Sequence, residues 1–224
     1  AARSAVGAAL AGDASRLVVR INDSGTPWYA DDLAMVAARR AAVVMLPKAE
    51  RAANIAHLRA ACPDIAVLAL VESARGVLAA EALAGAPGVQ RLVFGTIDFA
   101  LDLGLSGDPV GLDHAASHIA LASRAAGIAP PVAGVTASID DEALLLANLA
   151  RARAHGFTAK LCIHPKQIAP IHAALAPTAA ELAWAERVLA AAQAAGGAAV
   201  QLDGRMVDKP VIERARRLVA RNSD

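Results

Sequence analysis

The feature that most constrains the fold is a repeated alternation of two kinds of segment. Short runs rich in β-branched residues alternate with Ala- and Leu-rich segments in which apolar residues recur at helical spacing, a pattern typical of parallel strands joined by helices. Because the strand-like runs are apolar at successive positions, each strand is expected to be buried on both faces of an α/β sheet. The runs that we interpret as strands are 16–22, 41–47, 64–72, 91–95, 131–136 and 159–165.

Two α/β architectures are compatible with the six predicted strands, one as an incomplete barrel and the other as a complete open sheet. A (β/α)8 TIM barrel needs two more, and at roughly 25–30 residues for each βα unit these correspond to about 50 residues at the N-terminus. We therefore predict a TIM barrel that lacks its first two βα units in this chain, with residues 1–12 forming the helix that precedes the first strand. An open doubly wound sheet is the alternative, because six strands complete it.

Composition limits the domain organisation and the partners. The chain is 56% hydrophobic and 19% charged over 224 residues, which suits one sizeable core. We expect a barrel domain over residues 1–195 and a C-terminal lid or helical extension over residues 196–224. With 22 Lys and Arg against 21 Asp and Glu, no strong field favours nucleic acid as a partner.

The sequence also predicts the compartment. The opening residues lack the basic-then-apolar order of a signal peptide, and charged residues between Asp13 and Arg16 interrupt any membrane span. The two cysteines, Cys62 and Cys162, lie far apart and belong to no metal-type or redox-type pair. We therefore expect a cytoplasmic protein with no membrane partner.

Polar side chains stand at the ends of several predicted strands. Arg20 and Glu72 lie at strand ends, and Asp98 follows the run 91–95. In a barrel the carboxyl ends of all strands open on one face, so these side chains are expected to meet at one mouth. Two carboxylates with further positions open to water and substrate suit Mg²⁺, so Glu72 and Asp98 are predicted as its ligands. Arg20 is expected to bind a substrate carboxylate with its guanidinium fork.

Each of these residues has an ordinary structural alternative. An aspartate after a strand, such as Asp98, is often a helix cap or a turn residue. Glu72 could pair with Arg75 across the turn, and Arg20 could pair with Asp23, in local ion pairs that carry no function.

Two further residues near strand ends are left outside the core site. Lys48 follows a strand and could meet a negatively charged group of a substrate, but a solvated lysine is an equal alternative. His164 ends the last predicted strand, and one histidine does not make a metal site.

The strand-end residues belong to longer motifs. In chain order these are RIND, GTPWYADDL, VMLPKAE, LVESARG, VFGTIDFALDLG, GFTAKLCIHPKQI and GRMVDKPVIERARRL. Their order and spacing resemble the citrate lyase β-subunit-like CoA-ester lyases of the HpcH/HpaI aldolase/citrate lyase family. The resemblance runs from Arg20 to the C-terminus, which is nearly the whole chain.

The resemblance implies a Mg²⁺-dependent barrel lyase that cleaves or forms a carbon–carbon bond between an acyl-CoA enolate and a 2-oxo acid. On the matching motifs, Glu72 and Asp98 are the metal ligands, and Arg20 and Glu72 face the substrate. Asp208 of GRMVDKP matches an aspartate on a lid that covers the neighbouring subunit's active site and serves in proton transfer, although a simple turn is its ordinary alternative. The resemblance also implies a homo-oligomer, with a trimer as the natural expectation.

Two departures from the family pattern affect these expectations. Ile97 stands where relatives usually carry a glutamate before the metal-binding aspartate, so the affinity for Mg²⁺ is expected to be lower. The family's N-terminal segment with basic residues that contact CoA, and the acidic segment of its second strand, are not in the sequence.

Two classes of function follow. The first is a lyase that acts on citryl-, malyl-, methylmalyl- or citramalyl-CoA and releases a 2-oxo acid and an acyl-CoA. The second is a non-catalytic or complex-dependent citrate lyase β-subunit homologue that works with an acyl carrier partner. A nucleotide-binding doubly wound domain is a distant third, because neither GxGxxG nor GxxxxGK[ST] occurs. Binding of Mg²⁺ separates the first two.

Overall fold

The computed structural model describes residues 2–194 and 200–223 of the chain. It divides into two compact units, Ala1–Gln167 and Ile168–Asp224. The domain boundary predicted between residues 195 and 196 lies outside the described residues. The interpretation of the two segments as barrel and lid therefore stays a prediction.

The first unit is built on a six-stranded parallel sheet. Each strand pairs with the next one along the chain, and the order runs from β1 to β6 without reversal. A doubly wound sheet reverses its strand order at a switch point, so this order rules out the doubly wound alternative and gives a half-barrel. The strands are β1 (Val18–Arg20), β2 (Val43–Leu46), β3 (Ala66–Val71), β4 (Val89–Phe94), β5 (Val132–Ala133) and β6 (Ala159–Lys160).

All six predicted strands are present, but β5 and β6 are much shorter than the runs that predicted them. A Cβ atom at Gly134 would lie 2.6 Å from the carbonyl oxygen of Phe94, so the chain after β5 runs against the end of β4. After β6, the N–H of Ile163 donates to the side-chain Oε1 of Gln167 at 3.0 Å instead of to a neighbouring strand. The chain beyond each short strand is thus held by contacts other than the strand pairing.

One helix precedes β1, and further helices connect the strands of the first unit. The first of them, α1, confirms the helix predicted for the opening residues. Two helices begin with side-chain caps, because Ser73 accepts the N–H of Gly76 at 3.1 Å and Asp141 accepts that of Leu144 at 2.8 Å. The helices are α1 (Ala2–Ala9), α2 (Tyr29–Ala38), α3 (Ala52–Ala61), α4 (Ala74–Leu78), α5 (Ala80–Ala84), α6 (Thr96–Leu103), α7 (Asp113–Ala125) and α8 (Glu142–Ala154), with short 3-10 helices at Pro109–Leu112 and Pro165–Gln167.

Apolar side chains bury both faces of the sheet, as the continuous apolar runs predicted. One face carries a small cluster of Met45, Leu70, Val93 and Val132. The other face packs against the helices in a larger core that includes Val44, Val67, Leu92, Phe94 and Ile119. Burial on both sides fixes the strands, and the residues at their carboxyl ends are fixed with them.

Among its described residues, 168–194 and 200–223, the second unit contains three helices and a hairpin. Asp203 and Gly204 connect the hairpin strands with φ values of 52° and 74°, and two positive φ values in succession match a type I′ turn. Its core is formed by Ala185, Val188, Val207 and Ala215. The elements are α9 (Ile168–Leu175), α10 (Ala179–Ala194), β7 (Val200–Leu202), β8 (Arg205–Val207) and α11 (Lys209–Ser223). Within residues 2–194 and 200–223, no helix has both the length and the apolar character that crossing a membrane would require.

Lys160 of β6 lies half-buried on the sheet. Its Nζ donates to the carbonyl oxygen of Gly134 at 2.6 Å. Burial lowers the pKa of Lys160 from its ordinary value of 10.5 to about 8. The folded chain therefore holds this proton less tightly than the unfolded chain does.

This difference predicts a pH dependence of stability. Between about pH 8 and pH 10.5 the unfolded chain binds more protons at residue 160 than the folded chain, so the free energy of unfolding should rise with pH in this window. Replacing the lysine (Lys160→Met) should remove that part of the rise. The control Lys166→Met should keep it, because Lys166 is exposed and pairs with Asp140 at 2.7 Å. Urea unfolding followed by circular dichroism across this window measures the effect, and equal pH dependence in wild type and Lys160→Met would contradict it.

Candidate active site

The carboxylate of Glu72 is the centre of the candidate site. Glu72 directly follows β3 and is half-buried, and its Oε1 accepts the backbone N–H of Lys48 at 2.8 Å. Burial raises the pKa of Glu72, and the nearby charge of Asp98 raises it further. The hydrogen bond from Lys48 and the positive charges of Arg20 and Lys48 act in the opposite direction. The ends of β1, β2 and β3 and the start of α6 thus bring four charged groups within electrostatic reach of one another.

Gly95, between β4 and α6, makes room for Glu72. A Cβ atom at Gly95 would lie 2.6 Å from Cβ and 3.0 Å from Oε2 of Glu72. Since the φ of Gly95 is −81°, an ordinary value for any residue, the need for glycine here is steric. One oxygen of Glu72 is therefore held by Lys48 and the other lies against Gly95.

Asp98 lies in the first turn of α6 and is exposed. The residue that caps this helix is Gly95, so Asp98 is not the N-cap that its sequence context also allowed. Within the part of the chain that the structure describes, no hydrogen bond or ion pair engages its carboxylate, which leaves both oxygens available to a ligand. Its charge is favoured by the unpaired N–H groups at the start of the helix.

Arg20 is the last residue of β1 and is exposed. Neither local pair that the sequence allowed, Arg20 with Asp23 or Glu72 with Arg75, forms among the described residues. Arg75 instead lies with its Nε 3.9 Å from Oε2 of Glu50. Both Arg20 and Glu72 are therefore free of the local ion pairs that would have explained them structurally.

The loop after β1 is anchored by buried Asp32 of α2. Its Oδ2 accepts the backbone N–H of Asn22 at 3.0 Å and the side-chain amide of Asn22 at 2.6 Å. Its Oδ1 accepts the Nε–H of Arg3 at 2.7 Å. This network, which joins the RIND and ADDL motifs, fixes the chain immediately after Arg20.

Two further carboxylates support the segment after Glu72, and neither was singled out from the sequence. Oε1 of Glu50 accepts the hydroxyl of Ser73 at 2.6 Å. Oδ2 of Asp102 accepts the N–H of Ala74 at 2.7 Å. Because Asp102 lies one turn after Asp98 in α6, this bond holds the helix that carries Asp98 beside the chain that carries Glu72.

The predicted residue Asp208 belongs to the second unit, whereas Arg20, Glu72 and Asp98 belong to the first. Oδ1 of Asp208 accepts the N–H of Val211 at 3.3 Å, so its carboxylate caps α11. The aspartate thus caps a helix, a role that the sequence analysis did not consider beside the simple turn, and its role in proton transfer stays a prediction.

His164 and Gln167 shape the loop after β6. Nδ1 of His164 accepts the N–H of Lys166 at 3.2 Å, a local contact in keeping with a structural histidine. Gln167 is only 1% exposed, and its Nε2 donates to the carbonyl oxygens of Thr136 and Ser138, each at 3.0 Å. Sequence reasoning missed this buried amide, because its partners lie about thirty positions earlier in the chain.

The donor set at the end of β3 fits Mg²⁺. Magnesium prefers carboxylate oxygens and keeps several positions for water and substrate, and a pair of carboxylates such as Glu72 and Asp98 offers oxygens of that kind. Across the described residues, no group of three or more His, Cys, Asp and Glu side chains is arranged to hold a metal. A divalent cation would also offset the repulsion by which Asp98 raises the pKa of Glu72.

Comparison with known proteins places the chain in a family. Residues 1–165 match the family model of the HpcH/HpaI aldolase/citrate lyase family. The chain belongs to the HpcH/HpaI aldolase/citrate lyase family. Residues 116–223 also match a model described as a C–C bond lyase of the TIM-barrel fold. The family, the TIM-barrel class and the activity of a carbon–carbon lyase are thereby confirmed for this chain.

Curated members of the family cover most of the chain. The citrate lyase subunit beta-like protein of Mycobacterium tuberculosis is 39% identical over 216 residues, which are 93% of this chain and 77% of that protein. The (3S)-malyl-CoA thioesterase of Cereibacter sphaeroides is 34% identical over 209 residues, which are 91% of this chain and 73% of that protein.

Solved structures of family members share the fold. Protein CitE of M. tuberculosis in complex with magnesium, acetoacetate and coenzyme A has a TM-score of 0.87 and 37% identity, covering 100% of this chain and 84% of that one. CitE with magnesium and pyruvate has a TM-score of 0.76 and 32% identity, covering 97% and 81%. The citrate lyase beta subunit of M. tuberculosis with oxaloacetate and magnesium has a TM-score of 0.66 and 36% identity, covering 74% and 75%.

The close contact between Gly95 and Glu72 predicts the effect of adding one methyl group. In Gly95→Ala, the new Cβ would displace the Glu72 side chain, so we expect Mg²⁺ binding to weaken at least about tenfold and stability to fall by about 1–3 kcal/mol. The matched control is Gly12→Ala, whose Cβ would meet nothing closer than 3.6 Å. Calorimetric titration with Mg²⁺ and thermal unfolding measure both effects, and unchanged Mg²⁺ binding in Gly95→Ala would contradict the packing described.

Proposed function

We propose that this family member is a Mg²⁺-dependent lyase that cleaves a 3-hydroxyacyl-CoA-type thioester into an acyl-CoA and a 2-oxo acid. Citryl-, malyl-, methylmalyl- and citramalyl-CoA are the substrates of this class, and the reaction is reversible. The observation that carries the proposal is the grouping of Glu72 and Asp98 with Arg20 at the end of β3. The charge of Asp98 raises the pKa of Glu72, and the charge of Arg20 lowers it. Complexes of relatives with magnesium, oxo acids and coenzyme A support it.

Each residue of the group has a distinct task. Glu72 and Asp98 hold Mg²⁺, which when bound supplies a Lewis acid for the keto oxygen of the 2-oxo acid. Arg20 binds the carboxylate of the oxo acid with its guanidinium fork and so orients it for bond cleavage. Glu72 would also face the substrate, and the 2.8 Å hydrogen bond from the N–H of Lys48 fixes the orientation of its carboxylate.

Cleavage requires two proton movements. The hydroxyl of the substrate gives its proton to a water molecule as the carbon–carbon bond breaks, and the electron pair of that bond stays on the acyl-CoA carbon as an enolate. The enolate must then be protonated, and Asp208 donates that proton; in the synthetic direction it removes it. A lid that excludes water protects the enolate until the proton arrives.

The assembly proposed is a cytoplasmic homotrimer in which the lid of one subunit serves the site of its neighbour. Asp208 lies beyond the last strand of the sheet, in a separate compact unit, which suits a mobile or shared element. The thiols of Cys62 and Cys162 are both free, as expected in a reducing compartment. Acyl-CoA and 2-oxo acids are the small-molecule partners.

One observation favours the second candidate, a non-catalytic or complex-dependent citrate lyase β-subunit homologue with an acyl carrier partner. Ile97, next to Asp98, is 53% exposed and brings no charge to the site. The loss of a supporting carboxylate lowers the expected affinity for Mg²⁺. A chain that binds no Mg²⁺ at millimolar concentration would favour this candidate.

Replacing one metal ligand tests the proposed function. Asp98→Asn keeps the shape of the side chain and removes its charge, so we expect turnover of the four acyl-CoA substrates to fall at least about a hundredfold. Melting temperature should be unchanged. The control Asp64→Asn removes an exposed carboxylate of the same unit and should keep full activity. Release of the 2-oxo acid, coupled to its NADH-dependent reduction, measures turnover, and an active Asp98→Asn would refute the assignment.

Mixed subunits test the role of Asp208. If this aspartate serves the neighbouring site, hybrids of Asp208→Ala and Asp98→Asn subunits contain some sites with an intact metal centre and an intact lid. Mixing the two inactive variants under conditions that exchange subunits should then restore part of the wild-type activity. Mass spectrometry of the intact assembly verifies that hybrids form. Hybrids without activity would show that Asp208 serves its own subunit or only caps its helix.

A further inference from the structure

We infer that Lys48 is a specificity-determining residue of the candidate active site, and that its ammonium group binds a second carboxylate on the 2-oxo acid. The inference rests on the proposed function and narrows it, because it selects dicarboxylic 2-oxo acids over monocarboxylic ones. Arg20 binds the carboxylate next to the keto group, and Lys48 binds the distal carboxylate.

The backbone of Lys48 is tied to the site. Its φ is 45°, in the left-handed region that disfavours residues with a side chain. In this conformation its N–H donates to Oε1 of Glu72 at 2.8 Å, and the next N–H, of Ala49, donates to the carbonyl oxygen of Leu70 at 2.9 Å. Glycine would adopt this conformation at lower cost, so the presence of lysine indicates that its side chain is needed here.

The side chain of Lys48 is available to a ligand. It is exposed, and its positive charge reaches Glu72, as does that of Arg20. Over the described ranges of the chain, no carboxylate forms an ion pair with the Lys48 ammonium. Lys166 differs in this respect, because its Nζ lies 2.7 Å from Oδ1 of Asp140.

The charges around the site match a ligand with two negative groups. The carboxylates of Glu72 and Asp98 together balance one divalent cation. Two other acids near the end of β3 form no ion pair with Arg20 or Lys48 among the described residues: Glu50 lies 3.9 Å from the Nε of Arg75, and Asp102 accepts the N–H of Ala74 at 2.7 Å. Two positive charges, those of Arg20 and Lys48, therefore remain for the ligand. A monocarboxylate would leave one of them unmatched, and a dicarboxylate matches both.

A pair of ligands found in relatives isolates this contact. Pyruvate and oxaloacetate share the keto group and its adjacent carboxylate, and oxaloacetate has one carboxylate more. Structures of relatives hold one or the other together with magnesium. Replacing a residue that binds the extra carboxylate must therefore weaken the binding of oxaloacetate and leave the binding of pyruvate unchanged.

The experiment is calorimetric titration of the full chain with each oxo acid at saturating Mg²⁺, using freshly dissolved oxaloacetate in the cold to limit decarboxylation. We expect wild type to bind oxaloacetate about tenfold more tightly than pyruvate, the gain typical of one charge-assisted contact. Lys48→Met keeps the backbone N–H that holds Glu72, and it should lose this preference while its affinity for pyruvate changes less than about twofold. The control Lys166→Met should behave as wild type.

Titration with Mg²⁺ alone separates recognition from damage to the site. Removing a positive charge near Glu72 should leave Mg²⁺ binding by Lys48→Met unchanged or tighten it, whereas a distorted site would bind Mg²⁺ more weakly. Equal loss of pyruvate and oxaloacetate affinity, or an unchanged preference for oxaloacetate, would overturn the role of Lys48. Wild type that binds neither oxo acid in the presence of Mg²⁺ would overturn the proposed function itself.

Discussion

A carboxylate half-buried at the end of a strand costs free energy that neighbouring groups must offset. At Glu72 the cost of burial is offset by the hydrogen bond from the N–H of Lys48 and by two nearby positive charges. Gly95 leaves the room that the side chain needs. Asp98 works against this offset, because a second negative charge raises the pKa of Glu72 further. The pKa of Glu72 therefore stays above its ordinary value, and a cation bound between the two carboxylates would favour their charged forms.

The rest of the first unit holds this arrangement in place. Parallel strands buried on both faces end at one edge, and short hydrogen bonds then fix the residues just beyond that edge. Asp32 holds the chain after β1 through Asn22, and Asp102 joins α6 to the chain after β3. Each of these acids stabilises backbone next to a candidate site residue. The site is therefore built by loops whose paths are fixed by side chains outside it.

Much of this was predictable from the sequence, because the signals were local. β-branched runs marked all six strands, and the motifs around Glu72 and Asp98 identified the family. The short lengths of β5 and β6 were not predictable, since the chain beyond them makes contacts such as Gly134 with Phe94 and Gln167 with Thr136, whose partners are far away in sequence. The close packing of Gly95 against Glu72 is a contact between residues that follow two different strands, and no local sequence pattern predicts it. The hairpin of the second unit was missed although an Asp–Gly pair, a known turn signal, lies at its tip.

The central claim is that the carboxylates of Glu72 and Asp98 together hold the metal that the lyase uses. Anomalous diffraction from crystals grown with Mn²⁺, a substitute for Mg²⁺, and pyruvate tests it most directly. We expect one manganese peak that lies roughly 2.0–2.3 Å from an oxygen of each carboxylate, with Arg20 facing the pyruvate carboxylate. A manganese ion bound elsewhere, or bound without either carboxylate, would contradict it.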